Sequence, residues 1–355
     1  MADILTRAAK QYFEQVYFQQ TERQLFNRLF NVVDESTDSN FILDKYTGNP
    51  YALTYRQKDG QSRVAQYAPG SGILIDVPIA SRKTPITEEL LDRVAAGIEA
   101  IGGFGINEAQ MVNQIVRDHV AGLNMTKNKQ ALDVFADGKF YAKGPAGADI
   151  GLDISFWRNA SNDMTYDFTT GGASMSKALQ EAQDYLRTKS TPLSNMVCIM
   201  GASWLSKYGS DTSIQAYTAT STQGNVLIQQ LMPPELIGID GLHVVGQYRA
   251  PGMVAPMWIC AYAPPVAYIK DEGEAAGKYV ADTQALFFAL DDVRYKVNRG
   301  VNVLDENGKR VRAVGDLVID RFSDNDPVVE YLRTSTRHCF VPGNPDHTAK
   351  STGTF

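Results

Sequence analysis

Tyr51-Ala52-Leu53-Thr54-Tyr55-Arg56-Gln57-Lys58-Asp59-Gly60-Gln61-Ser62-Arg63-Val64-Ala65-Gln66-Tyr67 is the stretch on which the fold turns. Tyr51, Leu53 and Tyr55 share one side of an extended chain because strand side chains alternate, and Asp59-Gly60 supplies the positive backbone angles of a tight reversal. The segment reads as a hairpin too polar to hold a core of its own. Two isolated strands are marginal in water, so this finger must rest either on its own globule or on a neighbouring copy. The second reading leads to a protein that assembles.

Working outward, Tyr67-Ala68-Pro69-Gly70-Ser71-Gly72 closes the finger and Ile73–Val77 is a short strand candidate. Pro85-Ile86-Thr87-Glu88-Glu89 opens a helix, with Thr87 as cap and two acids favouring the helix dipole. Leu90, Leu91, Val94, Ile98 and Ile101 line its face until Gly102-Gly103-Phe104-Gly105 breaks it. Asn107 and Gln110 resemble a capping pair that restarts the helix, and Val112, Ile115, Val116, Val120 and Leu123 form the next stripe. That stripe predicts a helix over 107–124 packed on a sheet.

Upstream, Ile4, Leu5, Ala8, Tyr12, Val16, Leu25, Leu29 and Phe30 repeat at helical spacing on a polar background. This reads as an arm ended by the turn-favouring tract Asp34–Asn40. Downstream, Ala131–Ala142 reads as a second hairpin turning at Asp137-Gly138, while 144–172 resists assignment. Ser174 or Ser176 starts a helix bearing Ala178, Leu179, Ala182, Tyr185 and Leu186. A strand at Met196–Met200 then leads to a short helix through Trp204, Leu205 and Tyr208. Further strands are expected at Leu242–Gly246, Met257–Tyr262 and Ala285–Leu290, and Val301–Leu304 faces Val311–Val314 across Asn307-Gly308. From Pro342 onward the chain reads as a polar, turn-rich tail.

The bulk numbers bound the function. With 355 residues, 44% hydrophobic and 21% charged, the chain is ordinary globular material with room for two or three sub-domains. The net charge is −6 and the 34 basic residues are scattered, so no basic patch argues for gripping nucleic acid. Three unspaced cysteines, Cys198, Cys260 and Cys339, oppose both a disulfide framework and a zinc site. The start of the chain lacks a secretory pattern, and the apolar run 253–269 is interrupted by Pro256, Pro264 and Pro265. A soluble intracellular protein is expected, with no membrane partner, and the glycosylation sequons at Asn124 and Asn159 then carry no meaning.

Each catalytic pattern in the chain has a plainer role. Gly201-Ala202-Ser203-Trp204-Leu205 sits where a hydrolase elbow would sit but lacks the second glycine, and Asp240 and His243 lie too close together for two triad members. Ser203 reads as a helix cap. His119, His243, His338 and His347 show no metal-ligand spacing, and His119 reads as a satisfied packing residue. Asp305-Glu306-Asn307-Gly308 resembles half a calcium loop whose closing position is Val314. Gly70-Ser71-Gly72 lacks the third glycine of a dinucleotide fingerprint. The chain reads as no enzyme, with no catalytic, cofactor or metal residues.

The order of parts resembles the lambda-type major capsid protein family of tailed bacteriophages. Its carriers are the arm, the tyrosine-bearing loop, Tyr67-Ala68-Pro69-Gly70, Val77-Pro78-Ile79, Thr87-Glu88-Glu89-Leu90 with its long helix, and Val197–Leu205. Ala281–Phe287 and Asp326–Glu330 resemble later segments of that family. The resemblance implies an α+β fold of the Hong Kong 97 type, with an N-terminal arm at 1–40 and an extended loop at 41–76. It further implies a peripheral domain with a spine helix at 77–175 and 291–341, and an axial domain at 176–290 and 342–355. Tyr51, Leu53, Tyr55, Arg63 and Tyr67 would be inter-subunit loop residues, and Val112, Ile115, Val116, Val120 and Leu123 would pack the spine.

The implied function is a non-catalytic head subunit that forms hexamers and pentamers of an icosahedral shell around double-stranded DNA. It would be built in the host cytoplasm and rearranged on maturation. Implied partners are other copies, scaffolding, portal and decoration proteins, with DNA only in non-specific proximity. No lysine–asparagine pair stands out for covalent crosslinking. The competing readings are a serine hydrolase using Ser203 and a phage tail-tube subunit.

Overall fold

The computed structural model describes residues 24–45, 71–86, 108–142, 153–169, 174–211, 214, 232–249, 252–264, 278–304, 309–325 and 328–355. The finger 51–67, the helix expected from Thr87, and the arm before residue 24 lie outside them. Within them the architecture is mixed α+β, built on two sheets with a long helix between.

The described chain opens with a short helix, α1 (Leu25–Leu29), whose Leu25, Phe26 and Leu29 are buried. The end of the arm is therefore part of the core. β1 (Val32–Ser36) follows, parallel to β12 (Arg294–Arg299), where a turn was expected from Asp34. The correction has a physical cause: the Arg299 guanidinium grips the Asp34 carboxylate at 2.8 Å and Asn298 donates to Glu35 at 3.2 Å. These contacts hold the acids along an edge strand.

β2 (Asn40–Lys45) and β3 (Ser71–Asp76) pair antiparallel from Asn40↔Asp76 to Lys45↔Ser71. The two ends of the segment 41–76 are thus zipped together. β4 (Ile79–Ile86) then runs as a strand up to the point where a helix was expected to open. It pairs with β16 (Val328–Pro342), and Pro85 is accommodated because β4 has β16 as its one described neighbour. β15 (Val318–Asn325) lies on β16 as well, giving a five-stranded sheet of order β1-β12-β16-β15 with β4 also on β16.

The spine stripe is helical, but α2 runs from Glu108 to Asp137. The hairpin expected at 131–142 is corrected: Ala131, Leu132, Val134 and Phe135 are buried at helical spacing. Gly138 ends the helix in the left-handed region at φ +63°, and a Cβ there would meet Arg158 Cβ at 2.4 Å. It is a helix stop. A short ladder follows between β5 (Lys139–Phe140) and β6 (Ile154–Ser155).

β7 (Asp163–Asp167), inside the unassigned segment, joins a six-stranded sheet ordered β7-β17-β11-β8-β10-β9. Its other strands are β8 (Met196–Met200), β9 (Leu242–Tyr248), β10 (Met257–Tyr262), β11 (Gln284–Ala289) and β17 (Thr348–Thr354). The polar tail expected after Pro342 is corrected by β17, which sits inside the sheet between β7 and β11. β8 is buried on both faces, with Met196, Cys198 and Met200 in one core and Val197 and Ile199 in the other.

On the first face, α3 (Met175–Thr188) and α4 (Ala202–Ser210) cover the sheet. Ser174 caps α3 by accepting from the Lys177 N–H, resolving the Ser174/Ser176 alternative. Trp204 fills the centre, its indole N–H donating to the Thr283 carbonyl at 2.8 Å. The other face meets α1, the C-terminal half of α2 and the five-stranded sheet, with Phe26 edge-on to Tyr262 and Phe135 edge-on to Phe288. β13 (Val301–Leu304) and β14 (Arg310–Ala313) pair antiparallel as expected, and the turn expected at Asn307-Gly308 lies outside the described residues.

Candidate assembly surfaces

The root of the loop is built by alternation. On β2 and β3, Phe41 and Ile75 turn inward while their neighbours Ile42 and Leu74 face each other across the ladder on the outside. Ile42 is 68% exposed and Leu74 65%. A cross-strand apolar pair left in water forgoes on the order of 1.5–3 kcal/mol per side chain that burial would return. Two arginines fix this root to the sheet. Arg337 donates from Nη2 to Asp76 at 2.6 Å and from Nε to the Val77 carbonyl at 2.8 Å, and Arg299 lies over the Phe41 ring at 5.6 Å.

Beside the root, a groove of about 430 Å³ opens along β1, lined by Val32, Val33, Asp34, Phe41, Tyr295, Val297 and Val341. Val297 and Val341, both buried core residues, line this groove beside the exposed edge strand. Sequence reasoning missed it. The signal available was the apolar pair Val32-Val33 directly ahead of Asp34 and Glu35.

α2 lies on β16 through polar groups. His119 bridges Thr84 at 2.7 Å and Thr334 at 3.0 Å, as a packing residue, and burial first and Arg82 second lower its pKa to about 4. Lys127 donates to the Asp316 carboxylate at 2.9 Å, and Lys296 reaches the same oxygen at 2.5 Å. Burial brings Lys127 down to about 7 against the pull of Asp316. Gln130 meets His338 at 2.8 Å; burial, then Lys127, push that histidine well below its ordinary range.

Of the expected site residues, Tyr51, Leu53, Tyr55, Arg63 and Tyr67 lie outside the described residues, as does the side chain of Val112. Val116, Val120 and Leu123 are buried, and Ile115 is half-buried. Cys198, Cys260 and Cys339 are buried free thiols. Ser203 is not the cap of α4; Gly201 holds that position, and the Ser203 N–H donates to the Asp282 carbonyl at 3.0 Å. His243 is exposed on β9. Among the described residues no group of His, Cys, Asp or Glu could hold a metal ion, and no helix is long and apolar enough to cross a membrane.

No family model and no curated protein matches the chain. Solved structures do match at low identity, and the first of them shows the class of fold, a mixed α+β arrangement like that of a solved phage-related protein. The particular likeness that carries this is a prophage protein of E. coli CFT073 assigned as a capsid protein. It is 13% identical, with a TM-score of 0.58 over 97% of each chain. The capsid of cyanophage P-SCSP1u is 12% identical, with a TM-score of 0.49 over 93% of this chain and 88% of its own. The mature capsid of bacteriophage PhiM1 is 11% identical, with a TM-score of 0.45 over 91% and 84%. The argument rests on the first alone.

Proposed function

We propose that this chain is the non-catalytic major head subunit of a tailed bacteriophage. Copies assemble into hexamers and pentamers of an icosahedral shell that encloses double-stranded DNA, and the shell rearranges as it fills. The observation that carries the reading is the end-to-end likeness of fold to the E. coli prophage protein. Exposed apolar surface at the loop root and along β1 supports it, since rings of subunits need one patch to meet a different patch on the next copy.

On this reading, 41–76 is the extended loop, with Tyr51, Leu53, Tyr55, Arg63 and Tyr67 contacting a neighbour. The peripheral domain takes 77–175 and 291–341 with α2 as its spine, and the axial domain takes 176–290 and 342–355. Scaffolding, portal and decoration proteins are the expected partners, and the acidic balance of the chain suits a wall that faces DNA without gripping it. Assembly takes place in the host cytoplasm and the subunit ends in the virion.

Negative-stain microscopy of the purified protein, alone and with the products of neighbouring genes, tests this. Closed shells of icosahedral outline are expected. Stacked rings would favour a tube subunit instead, and monomers under every condition would overturn the reading.

A further inference from the structure

β1 and β14 are both edge strands, and among the described residues no strand pairs with the outer side of either. β1 is exposed from Val32 to Glu35, and β14 from Arg310 to Val311 and Arg312. Exposed edges are open templates for another strand unless they are covered or blunted by charge. Here the two edges carry opposite charge. β1 sets Asp34 and Glu35 next to two valines; β14 sets one valine between two arginines.

The apolar parts match as well. The groove along β1 is lined by Val32, Val33, Tyr295 and Phe41 with Asp34, whose carboxylate Arg299 already pairs, and it suits an apolar side chain. Val311 is such a side chain, 38% exposed. Within one molecule this match is out of reach. β14 is held along β13 by the ladder from Val301↔Ala313 to Leu304↔Arg310, and its described link to the end of β1 is Arg312 Nη1 donating to the Thr37 carbonyl at 3.0 Å.

We propose that β1 of one copy pairs with β14 of a second copy, placing Val311 in the groove beside Val32 and Asp34, and the two arginines, on the opposite face of β14, against Glu35. Glu35 is positioned beforehand by Asn298, so little side-chain order is lost on pairing. Opposed charge in this setting selects the partner and its register more than it adds affinity. The inference rests on the shell reading above and names one contact between its copies.

The test uses the full chain in three forms: Glu35→Lys, Arg310→Glu, and the two together. Sedimentation velocity reads association, and circular dichroism confirms that each variant is folded. Each single reversal should raise the concentration for half-maximal association by about tenfold or more, because like charges then face each other. An equimolar mixture of the two single variants should associate like the wild type, and so should the double variant. Single variants that associate like the wild type would overturn the pairing; that is also the outcome if residues 1–23 or 46–70 occupy the groove. Folded single variants that fail even when mixed would overturn it too. Loss and rescue of association among the variants, with wild-type protein that associates but never closes a shell, would instead sink the shell reading and leave the pairing standing.

Discussion

At the residue scale, the seam between α2 and β16 is the least ordinary part of the molecule, because a helix–sheet contact is usually apolar and this one is hydrogen-bonded. Asp316 holds two ammonium groups, Lys127 and Lys296, and the pair on Lys127 is fully buried on the lysine side. Removing the carboxylate leaves both cations facing one another, so Asp316→Asn should cost about 3–5 kcal/mol. Lys127→Met leaves Asp316 still paired with Lys296 and should change stability by about 1 kcal/mol or less. Urea midpoints of the two variants check the difference; equal losses would contradict the assignment of Asp316 as the shared counter-charge.

The histidines of the seam give it an acid dependence. His119 has its folded pKa at about 4, below its ordinary 6.5, so between those values the unfolded chain binds a proton that the folded chain excludes. Stability then rises with pH across that window and is lost as the pH falls through it, by about 1.4 kcal/mol per pH unit. His338, lowered by burial, adds in the same direction. His119→Gln should flatten the decline between pH 6.5 and about 4 in urea titrations. A variant whose decline keeps the wild-type slope would contradict it.

At the scale of elements, β17 makes the sharpest prediction. It is a strand of small and polar residues, Thr348 to Thr354, flanked by ladders to β11 and β7. Deleting 348–355 should remove both ladders and leave the six-stranded sheet split, so the truncated chain is expected to be insoluble or to lose its cooperative thermal transition. A soluble truncation with an unchanged transition would contradict the ladder assignment. The same strand shows why parts of the fold were illegible in the sequence. Thr-Ala-Lys-Ser-Thr-Gly-Thr carries no apolar alternation, because close-fitting small residues and backbone pairing place it: a Cβ on Gly353 would meet the Phe355 ring at 2.7 Å.

α2 was half legible for a related reason. Its buried stripe includes His119, Asn124, Lys127 and Asn128, so the apolar period fades after Leu123 although the helix continues to Asp137. α3 was legible up to the choice of its cap, because Ala178, Leu179, Ala182 and Leu186 repeat on one face behind two candidate serines, of which Ser174 is the cap. The strands β8, β10 and β11 announced themselves as short continuous apolar runs, as strands covered on both faces do. β1 did not, since its acids read as a turn until Arg299 and Asn298 are brought beside them.

At the scale of the whole molecule, the order of parts carried the reading where no single motif did. That is the expected condition of a fold shared at 13% identity over 97% of both chains. The segment 51–67, expected from the sequence to be a finger, lies outside the described residues, and the strands that flank it, β2 and β3, bear Ile42 and Leu74 in water. The groove along β1 and the edge β14 were out of reach, because both depend on which strands end up unpaired, a property of the assembled sheet.

The central claim is that a single copy is incomplete and that the segment around Tyr51–Tyr67 completes its neighbour. The most direct measurement is the particle mass distribution as a function of protein concentration, for the full chain and for a chain lacking residues 50–67. The account predicts concentration-dependent closure of the full chain into shells, and a folded, soluble deletion variant that closes none. Full-length protein that stays monomeric at every concentration, or a deletion variant that forms normal shells, would contradict it.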